Sequence, residues 1–152
     1  MKKKIVFIMN PISGTSSKAA VPSLIDSTLD KEQFEYEIKM TERPGHASEL
    51  AAEARDNHAD IVVAVGGDGT VNEVARSLVH SDSALGILPC GSGNGLARHL
   101  LLPMNLKKSI EIINACEIHD LDYGVINEYP FFCTCGMGFD AFVSMKFAES
   151  GK

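Results

Sequence analysis

The chain has 152 residues, 45% of them hydrophobic and 22% charged, with no biased tract. That is one domain's worth of length, enough to bury a real core, in the composition of an ordinary soluble globular protein. A formal net charge of −6 argues against binding nucleic acid through bulk charge, and Lys2, Lys3 and Lys4 read as a solvated start to the first strand.

Lys4 to Met9 (KIVFIM) is a continuous apolar run rich in branched residues, which predicts a strand buried on both faces. NPISGTSSK follows as a loop, with Asn10-Pro11 and Gly14 as breakers. Ser16 or Ser17 is placed to cap a helix running to about Leu29, with Pro22 in its first turn. Phe34 to Thr41 alternates as a second strand and is broken by Arg43-Pro44-Gly45. His46 to Asp56 then spaces Ala47, Leu50, Ala51 and Ala54 along one helical face.

Asp60 to Val65 (DIVVAV) predicts a third buried strand, and GGDGT follows it. Val71, Val74, Ala75, Leu78 and Val79 recur at helical spacing. Thr70 and Glu73 fit a capping box, which places that helix start at the end of the glycine loop. Ala84 to Pro89 is a fourth strand and CGSGNG a second glycine loop. LARHLLL reads as a short helix stopped by Pro103. Asn105 to Cys116 is helical, with Leu106, Ile110 and Ile113 inward. Glu117 to Asn127 and Tyr129 to Gly138 suggest a hairpin or two edge strands, and Phe139 to Ser150 begins another helix.

Strand and helix alternate over the first hundred residues, which predicts an α/β fold with a doubly wound, mostly parallel sheet. The pattern changes after about Asp120. Residues 1–120 are therefore expected to form one α/β domain and residues 121–152 the beginning of a second, β-rich unit. Cys90, Cys116, Cys133 and Cys135 read as structural thiols in a reducing compartment. Cys116 and His119 could seed a ligand pair, but no second pair follows at zinc spacing. MKKKIVFIMNPISG turns polar too early for a signal peptide, and no apolar run reaches the roughly 18 residues needed to span a bilayer. The expectation is a cytoplasmic protein, with any membrane contact at the inner surface.

In an open parallel sheet, ligands collect at the carboxyl ends of the strands. Three loops fall there: NPISG, GGDGT and CGSGNG. Glycine lets backbone N–H groups approach a ligand, and a helix N-terminus adds partial positive charge. Ser13, Thr70, Ser92 and the amides of Asn10 and Asn94 supply neutral donors, so the set describes a cradle for a polyphosphate. Taken singly, each loop is equally a tight turn that uses glycine for packing. The third glycine of Gly91, Gly93 and Gly95 comes one position early for the dinucleotide fingerprint, and no Walker lysine follows a glycine run. A bare carboxylate would repel phosphate. Asp68 is therefore expected to face a metal ion, a hydroxyl to be deprotonated or solvent, unless it was chosen for its turn propensity.

In this order and spacing, NPISG, GGDGTVNEVA, GSGNGLARHL, LDYG and GMGFDA resemble the catalytic domain of the diacylglycerol kinase and sphingosine kinase superfamily. That group includes bacterial lipid kinases with an NAD-kinase-like first domain, and the resemblance covers essentially the whole chain. GGDGT alone is shared with NAD kinases and, loosely, with phosphofructokinases. The resemblance implies an ATP-dependent lipid kinase acting with Mg²⁺ on a hydroxyl of a long-chain lipid, such as diacylglycerol or a sphingoid base, at the membrane surface. By position, Asn10, Ser13 and Gly14 look like the first nucleotide loop, and Thr41 is similar to a threonine that touches the nucleotide in bacterial members. Gly66, Gly67, Asp68, Gly69, Thr70, Val71 and Asn72 resemble the central phosphate-binding segment, with Asp68 as its functional, catalytic carboxylate. Gly91, Ser92, Gly93 and Asn94 match the GTGN-type loop. Asp122 sits where the family has an aspartate linked to the magnesium network, and Asp140 lies near the lipid end. Read from the residues alone, Asp122 is equally a hairpin residue and Asp140 equally a helix cap.

Two departures stand out. GSGNGLARHL is closer to sphingosine-kinase-like members than to the GTGNDFAR of many bacterial diacylglycerol kinases, which leaves the acceptor lipid open. Family members run to about two domains, the second β-rich and shaping the lipid pocket, so this chain is expected to be the N-terminal part. An NAD-kinase-like enzyme and a non-catalytic nucleotide-binding module are the alternatives. The apolar end FFCTCGMGFDAFVSMKF adds a homo-oligomer to the expectations.

Overall fold

The computed structural model describes residues 2–11 and 18–149. Four strands, β1 (Lys3–Met9), β2 (Phe34–Met40), β3 (Ile61–Gly66) and β4 (Ala84–Pro89), form one sheet in the order β2-β1-β3-β4. Every pair is parallel, so the α/β expectation holds. The two central strands are sealed on both faces: Ile5 to Met9 and Ile61 to Val65 are all buried. Period-2 alternation sends Val6, Ile8, Val62 and Ala64 to one face and Ile5, Phe7, Met9, Val63 and Val65 to the other.

Helices α2 (His46–Asp56) and α3 (Asp68–Leu78) cover the first face with Ala47, Ala51, Ala54, Val71, Val74 and Leu78. Helices α1 (Val21–Thr28) and α5 (Leu106–Ala115) cover the second with Val21, Ile25, Ile110 and Ile113. Pro22 lies in the first turn of α1, where its missing N–H costs nothing. Ser16 and Ser17, expected as caps, lie outside the described residues. Short α4 (Gly95–His99) connects to α5. It stops before Pro103 because Leu101 takes the left-handed conformation (φ 57°). Leu102 N–H donates to Ala97 O at 2.9 Å and Leu101 N–H to Arg98 O at 3.0 Å, the paired bonds of a Schellman stop.

Two local expectations are corrected. Helix α3 starts at Asp68 behind an extended Gly67, so Thr70 is inside the helix and makes no capping box with Glu73. Glu73 instead reaches α2, accepting from Gly45 N–H at 3.1 Å and Ala47 N–H at 3.2 Å. The start of α2 has no cap of its own, and a carboxylate suits its orphan donors. Beyond residue 120 the expected hairpin and helix form, the hairpin with shorter strands, β5 (Gly124–Ile126) and β6 (Tyr129–Phe131), and the helix as α6 (Phe139–Glu149). The pair is joined by Asn127 and Glu128, both at positive φ as a two-residue hairpin turn requires. Cys133 and Cys135 lie past β6, exposed rather than packed as structural thiols. Among the described residues no helix is long and apolar enough to cross a membrane.

The Glu73 contact is testable. Glu73→Ala should cost about 1 kcal/mol in denaturant unfolding. Its amide exchange should quicken at Gly45 and Ala47, not at the start of α3.

Candidate functional site

Because the four strands run the same way, their carboxyl ends share one rim, and backbone bonds tie neighbouring ends together. Thr41 N–H donates to Met9 O at 2.9 Å, Asn10 N–H to Val65 O at 3.2 Å and Cys90 N–H to Gly66 O at 2.8 Å. Asn10, Thr41, the Gly66–Asn72 segment and the Gly91–Asn94 loop thus stand along a single edge. Ser13 and Gly14 lie outside the described residues.

Asp68 joins the two glycine segments. Its Oδ2 accepts from Asn94 N–H at 2.9 Å and its Oδ1 from Gly95 N–H at 2.6 Å. This is why a carboxylate sits in a glycine-rich bend: the facing loop presents amides that need an acceptor, and a charged acceptor binds them more strongly. Among the three orientations expected for Asp68, none included the backbone of the next loop. Each carboxylate oxygen has two lone pairs, so one on each remains after these bonds. Asp68 is also exposed.

The close approach explains Gly91. A Cβ there would overlap the Cα of Gly67 and come 2.9 Å from Asn94 Oδ1. Gly69 is different: it is exposed, within α3, and a Cβ on it would meet nothing within 4 Å. Packing gives no reason for that glycine, and glycine inside a helix costs about 1 kcal/mol relative to alanine.

The donor set narrows. Asn94 sits buried at φ 56°, with its Oδ1 accepting from Gly91 N–H at 2.9 Å and its Nδ2 donating to Gly91 O at 2.7 Å. Thr70 is buried against Gly66. Neither side chain is turned outward as the sequence suggested; both build the loops. Val71 likewise belongs to the core. The N–H groups of Asn94 and Val71 are used inside the protein as well, donating to Asp68 Oδ2 at 2.9 Å and to Gly67 O at 3.0 Å.

A cavity of 590 Å³ opens beside Asp68. One wall is the polar stripe of α3 (Asp68, Gly69, Asn72, Arg76), and the other is β6 with the segment after it, Tyr129 to Cys135. Arg76 lies over the Tyr129 ring at 5.9 Å, and its Nε donates to Pro130 O at 3.3 Å. The sequence reading missed Arg76, although Asp68, Asn72 and Arg76 recur every four residues as the complement of the apolar stripe. It also missed Lys18. That side chain is buried under the rim, its Nζ donating to Asn10 O at 2.6 Å. Burial pushes its ammonium below the usual lysine range, opposed by the neighbouring Cys90, whose thiol burial pushes up. Only the three-dimensional placement reveals it.

Asp122 and Asp140 are exposed and do not line the cavity; Asp140 stands in the first turn of α6. Among the described residues Asp68 is the single carboxylate that does. Among the described residues no group of three or more His, Cys, Asp or Glu is placed to hold a metal ion.

The sequence model of the diacylglycerol kinase catalytic domain matches residues 4–126. A diacylglycerol kinase of Staphylococcus saprophyticus is 34% identical over 134 residues, covering 86% of this chain and 44% of that protein. One from Staphylococcus epidermidis is 32% identical over 134 residues, covering 86% and 42%. The chain thus spans less than half the length of the curated relatives it matches. The crystal structure of a diacylglycerol kinase from Bacillus anthracis superposes with a TM-score of 0.73 at 24% identity, over 85% of this chain and 48% of that one. That likeness concerns the fold.

Asp68→Asn keeps one acceptor and turns an NH₂ toward an amide that needs one. It should destabilise the protein by about 1–3 kcal/mol. Hydrogen exchange at Asn94 and Gly95 should rise, whether or not nucleotide is present.

Proposed function

This chain belongs to the diacylglycerol kinase catalytic-domain family, and on that premise we propose that it is the nucleotide-binding part of a lipid kinase. The reaction is transfer of the γ-phosphate of ATP to a hydroxyl of a long-chain lipid, diacylglycerol or a sphingoid base. Gly69 is the observation that carries this reading: a glycine in the first turn of a helix, beside open space and an acidic side chain, suits a ligand that a side chain would exclude.

ATP supplies the transferable group, and Mg²⁺ on its phosphate oxygens lowers their charge. Within the Gly66–Asn72 and Gly91–Asn94 segments, the amides in the first turn of α3 and in the Ser92–Gly93 stretch bind the phosphates. Asn10, Ser13, Gly14 and Thr41 complete the nucleotide side by position. Asp68 holds the second loop in place with one lone pair on each oxygen. The others are available to orient the acceptor hydroxyl and take its proton. Tyr129, Phe131 and Phe132 supply an apolar wall for the acceptor and keep water from it. Residues 121–152 begin the β-rich domain that shapes the lipid pocket.

The test is isotope transfer from γ-labelled ATP by the intact protein to diacylglycerol, ceramide, long-chain bases and NAD. Label on a lipid supports the reading; label on NAD alone sinks it. Gly69→Ala separates ligand from fold. It should raise stability by about 0.5–1 kcal/mol while weakening nucleotide binding roughly tenfold or more. Equal affinity in calorimetry would remove the argument from Gly69.

A further inference from the structure

Leu101 departs from economical folding in two ways at once. It holds the left-handed conformation that a Schellman stop normally gives to glycine. Its side chain is 89% exposed, so the strained backbone is not repaid by burial. Its neighbours share the display, with Leu100 39% and Met104 36% exposed. Leu102, in contrast, packs on the core and anchors the turn.

The surroundings are basic in an acidic chain. No Asp or Glu lies between Asp82 and Glu111, while Arg98, Lys107 and Lys108 are all exposed around the turn. The turn also has a fixed relation to the rim. Arg98 Nε donates to Gly93 O at 2.8 Å, and Met104 Sδ lies 3.8 Å from Asn94 Nδ2. Helix α5 leads away from it, with Cys116 just past its end meeting Lys3 at the start of β1. The Leu100–Met104 turn therefore projects from the same edge as Asp68.

We propose that this turn is a membrane-docking tip: Leu100, Leu101 and Met104 enter the headgroup region of an anionic bilayer, and Arg98, Lys107 and Lys108 bind its surface. The proposal deepens the lipid-kinase reading and rests on it for its purpose, since it brings the Asp68 rim to the surface where a lipid acceptor resides. Apolar side chains flanked by cations are the combination that such a surface selects. A neutral protein partner would gain nothing from the charges.

This chain contains no tryptophan. Leu101→Trp in the intact protein places a reporter at the tip, with the spectrum of the unsubstituted protein as its background. Its emission should shift to the blue with vesicles of phosphatidylglycerol and phosphatidylcholine, and the shift should fade as salt is raised. Leu101→Gly should melt no lower than the parent and co-sediment with those vesicles about tenfold less well. Exchanging Lys107 and Lys108 for Gln should weaken co-sedimentation by about tenfold or more. An unchanged tryptophan spectrum, or undiminished binding by Leu101→Gly, overturns the proposal. A shift that follows protein concentration without vesicles assigns the tip to a second copy and also overturns it. Isotope transfer to a lipid acceptor in detergent micelles reads the kinase separately: its absence defeats the parent reading, and vesicle binding by the tip is scored independently.

Discussion

Asp68 binds the backbone of a loop whose first contact, Asn94, lies 26 residues further along the sequence. Two glycine segments from different strand ends acquire a fixed spacing through that carboxylate. The parallel sheet brings the strand ends to one rim, but only to within the slack of their loops. The Asp68 bonds and the Gly67–Gly91 approach remove that slack. A site built from backbone amides depends on such restraint, because amides have no side-chain torsion with which to adjust.

Helix α3 connects this clamp to the rest of the protein. Its apolar face seals the sheet through Val71, Val74 and Leu78. Its first residue holds the Gly91–Gly95 loop, and its sixth, Glu73, closes the end of α2. The polar side forms a cavity wall through Asn72 and Arg76. One amphipathic helix thus carries core, clamp, cap and pocket. The assignments are compatible because they occupy different angles around its axis.

The strand and helix periods made the sheet and its two layers legible before any coordinates, since buried runs such as IVVAV admit few alternatives. The rim was legible for the same reason: parallel strands put their turns together. Contacts between distant segments were not. Glu73 fitted a local capping box, yet its carboxylate is used on another helix, because α2 lacks a cap and α3 already starts earlier. Asn94 and Thr70 read as outward donors, whereas loop closure turned both inward. Lys18 and Arg76 carried no motif at all. Local spacing constrains elements; it says little about which polar group satisfies a distant backbone.

The strand order leaves the sheet with two dissimilar borders. On one side stands β2, with Glu35 and Glu37 exposed and Lys39 paired to Glu53 at 2.8 Å. Charges of this kind discourage a foreign strand from aligning there. On the other stands β4, ALGILP, which carries no charge and ends in a proline. Its outer amides and carbonyls, among the described residues, face no strand. Unwanted association during folding, and any lawful growth of the sheet, are thereby directed to the same flank.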